Sequence, residues 1–462
     1  MSGLPQKPGA RSFDADLAAI AALAGAPVRS ESDIKVNLTA IVGALYDADL
    51  TQYDIGAVKT SAGQGMQRLL ELRLYLRSQI PAWAKRGFMT HDVQKALRDV
   101  FQVTRYASDM LGELASGHER LGSPGKTRRG FTGDNLNVLV NPAFHTGGDI
   151  EFLPGDVILV RGQAHNSAAI ARIGDVESQF SHIGMVHALG DGRLVMVESL
   201  IEVGAVVTPL EAALEHGLGR AIVFRHRDSV LAARAGSLIH DHVAKRRGLR
   251  RIWYDFSMQL EGYRRLYCSK LVRLAYLSAS DGDVKLPAYT TRLIMKNRDF
   301  LRRVGVKASE TFAPGDMEVD PRFDIVAEWQ DYRVTSNLRN QDMILTKLFQ
   351  IMETDGYTFK EDWTISLIGW LGRLSAHLSD DAKDMLADVV PKVPRNMKRK
   401  TIAVVAMLHQ TAQPLLEKLN VIEREEIQRT GHTPHPRDVL ATLEAVHQAS
   451  LGRMGYLVAP SK

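Results

Sequence analysis

Two hydrophobic periods divide this chain, and they do not mix. From about residue 34 to 116 apolar residues recur close to every 3.6 positions. "GMQRLLELRLYLRSQI" sets Leu69, Leu70, Leu72, Leu74 and Ile80 among charges. "THDVQKALRDVFQVTRYASDMLGEL" repeats the style, with Thr90 as N-cap and a stripe of Val93, Leu97, Val100 and Val103. From 151 the texture changes to short β-branched runs broken by turn residues. These are "FLPGDVILVRG", "SHIGMVHALGDGRLVMVESLIEVGAVVTPL" and "AIVFRHR". Helical patterns follow at about 229–246 and 268–279. Another helical stretch runs from 338 to 456, with breaks at Asp355-Gly356, Pro391 to Pro394 and His432 to Pro436. Such segregation predicts an α+β fold, an antiparallel sheet packed on helices and flanked by N- and C-terminal helical regions. The expected divisions are four. Residues 1–33 are a loosely held Gly-, Pro- and Ala-rich start. Residues 34–150 are a helical region ending in a Gly-, Arg- and Asn-rich linker. The mixed domain is 151–335, and 336–462 is helical again.

At 462 residues the chain has room for roughly two to four units. Its 45% hydrophobic and 24% charged content is that of a globular protein. A net charge of +5, from 58 basic and 53 acidic residues, is too mild for a nucleic-acid binder. A single cysteine excludes an internal disulfide framework and fits a reducing compartment, so a cytoplasmic location is expected. Asp14 and Asp16 interrupt the N-terminal apolar stretch, which argues against an ordinary secretory signal and leaves export by another route open. No run is long and apolar enough for a membrane span. Metal-ligand spacing and a Gly-rich phosphate loop are both missing, so no metal or cofactor is expected.

The lone thiol, Cys268, stands in "RLYCSKLVRLAY" at the start of an amphipathic pattern carried by Leu271, Val272, Leu274, Ala275 and Leu277. A helix N-terminus favours a thiolate there. A cysteine nucleophile also needs a base, and the base needs an orienting group. Among fifteen histidines, His182 stands out at the start of a strand that leads into a hairpin. If Gly190-Asp191-Gly192 is a three-residue turn, Leu189 pairs Arg193, Gly184 pairs Glu198 and His182 pairs Leu200. His182 and Glu198 then share a face, roughly 7–8 Å apart at Cα. A two-residue turn would put them on opposite faces. Gly184 opposite Glu198 would leave room for the two side chains to meet. His187 falls on the other face and reads as structural. His165 and His216 read as loop residues. Asp156, Asp255 and Glu261 read as turn or scaffold groups.

The order "PGDVILV", "SHIGMV", "VMVES", "WYDFSMQLEGYRRLYCSKLVRLAY" and "FAPGDMEV" resembles the circularly permuted papain-like cysteine hydrolases of the NlpC superfamily, the YiiX/YaeF-type amidase group. The likeness covers about residues 150–320 and places histidine before cysteine in the chain. It implies a permuted papain-like domain in which Cys268 is the nucleophile, His182 the general base and Glu198 the polar third member. Tyr254 of "WYD" and Tyr267 of "YCS" match framing motifs, and Tyr254 is a candidate second oxyanion donor. Lys270 departs from the pattern, because that group usually carries glutamate there. A lysine at this place would favour an anionic substrate.

The expected chemistry is acyl transfer: hydrolysis of a peptide or peptidoglycan-type amide through a thioacyl-enzyme. The same triad could serve a lipid esterase or an acyltransferase, and an inert papain-like scaffold is the non-enzymatic alternative. Expected partners are a peptide, muropeptide or lipid substrate. The helical flanks could serve an oligomer or a partner protein. Two basic runs, 244–251 and 394–400, read as solvated faces or as contacts for an anionic partner. The apolar stretch 363–374, with Trp363 and Trp370, reads as a core helix rather than a membrane face, and is the best candidate for lipid contact.

Overall fold

The structure, a computed structural model, describes residues 11–117, 136–144, 150–215, 218–246, 250–293, 298–363, 365–366, 369 and 396–460. His216, the linker from 118 to 135 and most of the apolar stretch 363–374 lie outside the described residues.

Four helices open the chain: α1 (Phe13–Ala24), α2 (Glu31–Tyr46), α3 (Ile55–Lys85) and α4 (His91–Ser116). Residues 13–24 fall in the segment expected to be loosely held, and they form a helix instead. Ser12 caps it by accepting from the Ala15 N–H, and Leu17, Ile20 and Ala24 are buried. An alanine-rich stretch has high helix propensity, and its few apolar side chains gave too weak a pattern to read.

The sheet is built from β1 (Val138–Val140), β2 (Val157–Gly162), β3 (His182–Ala188), β4 (Leu194–Leu200), β5 (Gly204–Pro209) and β6 (Leu218–His226). Two short strands, β7 (Thr291–Arg292) and β8 (Glu310–Thr311), pair apart from it, and β9 (Phe323–Gln330) returns to it. The seven strands run in the order β1-β9-β6-β2-β3-β4-β5, every neighbour antiparallel. β1 lies in what the composition marks as linker; it pairs Val138 to Trp329 and Val140 to Ala327. The helices between strands are α5 (His165–Ile170), α6 (Leu210–Glu215), α7 (Ser229–Ala244), α8 (Cys268–Ala279) and α9 (Arg298–Val304). The C-terminal part holds α10 (Thr335–Thr354), α11 (Arg399–Thr430) and α12 (Pro436–Ala449).

Alternation sorts the strands' side chains. Val157, Leu159, Ile183, Met185, Val197, Ile222 and Phe224 pack against α7 and α8. Ile158, Val160, Val186, Met196, Ala221 and Val223 form a second cluster with α6 and Trp329. Together the two clusters leave little of the central strands exposed.

The flanks are tied to the sheet by buried ion pairs. Arg73 of α3 and Arg105 of α4 both bind Glu328 of β9, at 2.7 and 3.1 Å, and all three side chains are at most 1% exposed. Asp109 of α4 meets Arg220 of β6 at 2.5 Å. Glu113 of α4 meets Arg339 of α10 at 3.0 Å, and Asp342 of α10 holds Arg161 of β2 at 2.8 Å. Each charge is affordable inside only because its partner sits within bonding distance.

Candidate active site

The β3–β4 hairpin has the register counted from its turn. Leu189 donates to the Arg193 carbonyl at 2.8 Å, Gly192 takes φ +83°, and Gly184 stands opposite Glu198. His182 and Glu198 therefore meet: His182 Nε2 is 2.8 Å from Glu198 Oε2. Gly184 serves a neighbour rather than this pair. A Cβ there would sit 2.2 Å from the Met196 side chain, so glycine makes room for Met196.

α8 begins at Cys268, with Tyr267 as an extended N-cap that offers no side-chain bond to the first turn. The first N–H groups of the helix thus point out of its end unpaired by helix carbonyls. Cys268 stands close enough to His182 to act on its protonation, alongside Glu198. Because Nε2 is engaged by the glutamate, Nδ1 is the nitrogen left for sulfur. Cys268 is 4% exposed, whereas the His182 side chain keeps 19%, so the pair is reached from the imidazole side. Burial works against a charged ring, but the neighbouring Cys268 and Glu198 outweigh it and push His182 up to about 10. The ring is therefore held as imidazolium at neutral pH.

Glu198 is itself oriented. Thr208 of β5 donates its hydroxyl to Oε1 at 2.9 Å, leaving Oε2 toward His182. Thr208 was not picked out from the sequence. The same register count carried across the next hairpin would have found it, since Met196 pairs Thr208 two positions from Glu198.

Tyr254 lies on an extended segment joined to the approach to α8. Leu266 donates to the Trp253 carbonyl at 3.2 Å and Asp255 to the Leu266 carbonyl at 3.3 Å. Its phenol is buried; burial first, then the neighbouring Cys268, hold its pKa well above the usual value, so the hydroxyl stays protonated. Tyr267 faces away. Its hydroxyl accepts from Thr311 Oγ1 at 2.9 Å and from the Phe312 N–H at 3.4 Å, so it frames α8 against the β8 segment.

Lys270, expected at the substrate, is buried instead. Its Nζ lies 2.9 Å from Asp255 Oδ2, with the two side chains 4% and 10% exposed. Asp255 Oδ1 accepts from the Ser257 N–H and hydroxyl at 3.0 and 2.6 Å. The lysine charge is thus cancelled internally and fastens the Tyr254 segment to α8. Asp156 is a scaffold group bound by Arg225, and Glu261 pairs with Arg273 at the surface. His187 stacks on His240 at 4.4 Å, away from the hairpin pair. His165 is not a loop residue: it opens α5, buried, with Nε2 3.0 Å from Gln413 Oε1. No cluster of three or more His, Cys, Asp or Glu side chains among the described residues could hold a metal ion.

Residues 151–327 match the family model described as permuted papain-like amidase enzyme, YaeF/YiiX, C92 family. This segment is a permuted papain-like domain of that family. At the level of the family the domain is of the papain-like amidase type, a hydrolase class. A search of curated proteins returned no match. Among solved structures the chain is similar to the metalloprotein YiiX from Escherichia coli O157:H7, with 22% identity over 39% of this chain and 98% of that one, at a TM-score of 0.31. No described helix flanking the permuted papain-like domain is long and apolar enough to cross a membrane.

Proposed function

We propose that the domain hydrolyses an amide of a peptide or peptidoglycan-type substrate through Cys268, His182 and Glu198. The observation that supports this is one imidazole held by a carboxylate at 2.8 Å and raised in pKa by the neighbouring Cys268, the only thiol in the sequence. In the proposed reaction the Cys268 sulfur attacks the amide carbonyl carbon, and the C=O electron pair moves onto oxygen. The Cys268 backbone N–H at the helix start receives that oxyanion, with the Tyr254 hydroxyl as second donor. The tetrahedral centre collapses, the C–N bond breaks, and His182 gives its proton to the leaving amine. Water then attacks the thioester while His182 takes its proton. Sulfur leaves, and the acid is released. Glu198 holds the ring's orientation and favours its charged form, and Thr208 fixes Glu198.

The test is a substrate screen over peptides, muropeptides and phospholipids with wild type and Cys268→Ala. Hydrolysis of an amide that disappears in the folded Cys268→Ala protein is the expected result. Full turnover by that variant rejects the reading. Ester cleavage or acyl transfer to an acceptor other than water would move the assignment to the lipid class. If Cys268 reacts with iodoacetamide no faster than an ordinary thiol of pKa about 8.5, an inert scaffold is indicated.

A further inference from the structure

Two basic runs lie about 150 residues apart in the sequence, and the fold brings them to one rim. The first leads into Trp253-Tyr254 and carries Arg250 and Arg251. Arg264 and Arg265 join it from the neighbouring strand-like segment, where Arg265 bridges Trp253. The second run is Lys398, Arg399 and Lys400, at the start of α11. The link is Asn396, whose Nδ2 donates to the Tyr254 carbonyl at 2.7 Å. Met397 and Ile402 then pack against Ile201 and Phe256. Three Cα steps separate Arg265 from Cys268, at most about 11 Å, so the rim borders the thiol.

Among the described residues these cations meet no acidic partner. Arg250, Arg264, Arg265, Lys398, Arg399 and Lys400 are exposed and Arg251 is partly so. None has an ion pair among the described residues. Elsewhere many exposed arginines close on an acid: Arg68 on Asp14, Arg193 on Asp191, Arg227 on Asp324, Arg302 on Asp299. The acids near the rim are otherwise engaged, Asp255 by Lys270 and Glu261 by Arg273. Among the described residues that leaves Glu202, near Tyr254, against seven cations. Aromatic groups accompany them: Tyr263 is 59% exposed, and Trp253 is half-buried with Arg251 5.9 Å from its ring. Unpaired lysine and arginine beside interfacial tyrosine and tryptophan match a bilayer surface that carries anionic headgroups.

We propose that this rim docks the protein on an anionic phospholipid bilayer and presents the Cys268 site to it. Docking goes beyond the hydrolase reading and does not use Cys268. The experiment is sedimentation of the full chain with vesicles of phosphatidylglycerol and phosphatidylcholine in equal parts, against pure phosphatidylcholine, at low and high salt. Binding only to the anionic vesicles, weakened by salt, is expected. The double variants Arg264→Gln/Arg265→Gln and Lys398→Gln/Lys400→Gln should each weaken it by roughly thirtyfold. Cys268→Ala should bind as wild type, which separates this result from the fate of the hydrolase reading. Failure to bind anionic vesicles at low salt overturns the proposal. So does binding to a soluble polyanion such as heparin without binding to vesicles, or sensitivity to only one of the two runs.

Discussion

Replacing Lys270 with methionine should be far more damaging than a surface charge change. The substitution keeps most of the apolar stem and removes the ammonium that sits 2.9 Å from Asp255 Oδ2. Asp255 keeps two bonds from Ser257, both on Oδ1. Its other oxygen is left in a site where the side chain is 10% exposed. Breaking a buried pair from one side costs about 3–5 kcal/mol, because the remaining charge is uncompensated. Asp255→Asn should cost a similar amount by leaving the lysine. Removing both charges, Lys270→Met with Asp255→Asn, should recover much of the loss, since the desolvation of both ions disappears as well. A double-mutant cycle on urea unfolding reads the coupling directly. Cys268 alkylation rates in the same proteins report whether the Tyr254 segment has moved. Two single variants each losing less than about 1 kcal/mol, as an exposed pair would, refute the reasoning. So does a double variant equal to the sum of the singles.

Glu198→Gln keeps a hydrogen-bonding side chain but removes the charge that helps to hold His182 at about 10. The alkaline limb of the pH–rate profile should move to lower pH, and an unmoved limb excludes Glu198 as the group that supports the imidazolium. The folded value lies above the ordinary 6.5. The stabilisation is therefore complete below 6.5 and lost as pH rises through about 10, a loss that pH-dependent unfolding should find smaller in the variant. Glu328 behaves oppositely. Burial works against its charge, but Arg105 and Arg73 hold it at about 2, so its contribution is present above 4.5 and fades as pH falls through about 2. Glu328→Gln should cost about 3–5 kcal/mol in denaturant unfolding, and a loss below 1 kcal/mol would show that the arginines find other partners.

The hairpin was readable because its turn is short and a period of two propagates without drift. One correct loop length therefore placed Gly184 opposite Glu198 and brought His182 onto the glutamate's face. The start of α8 at Cys268 was readable for a related reason, since the apolar spacing after it is regular. Lys270 was misread because its partner lies fifteen positions back across an irregular loop, where no period relates the two. The arginines of α3 and α4 were hidden differently. In an amphipathic helix a charged position reads as solvent-facing, and only the sheet laid against it reveals Arg73 and Arg105 as interior. β1 is three residues long, too short to carry an alternation of its own.

The sheet's border with the flanks has a consequence for dissection. The family-matched stretch stops at residue 327, three residues before the end of β9. A fragment trimmed to that stretch would lose Glu328 and Trp329, drop the β1 strand that covers β9, and strip Asp109 from Arg220 and Asp342 from Arg161. Guanidiniums now sealed in the interior would face water or bare hydrocarbon. The helical arms are therefore part of what makes the papain-like core a foldable object, and excision should yield an insoluble polypeptide rather than a smaller folded domain.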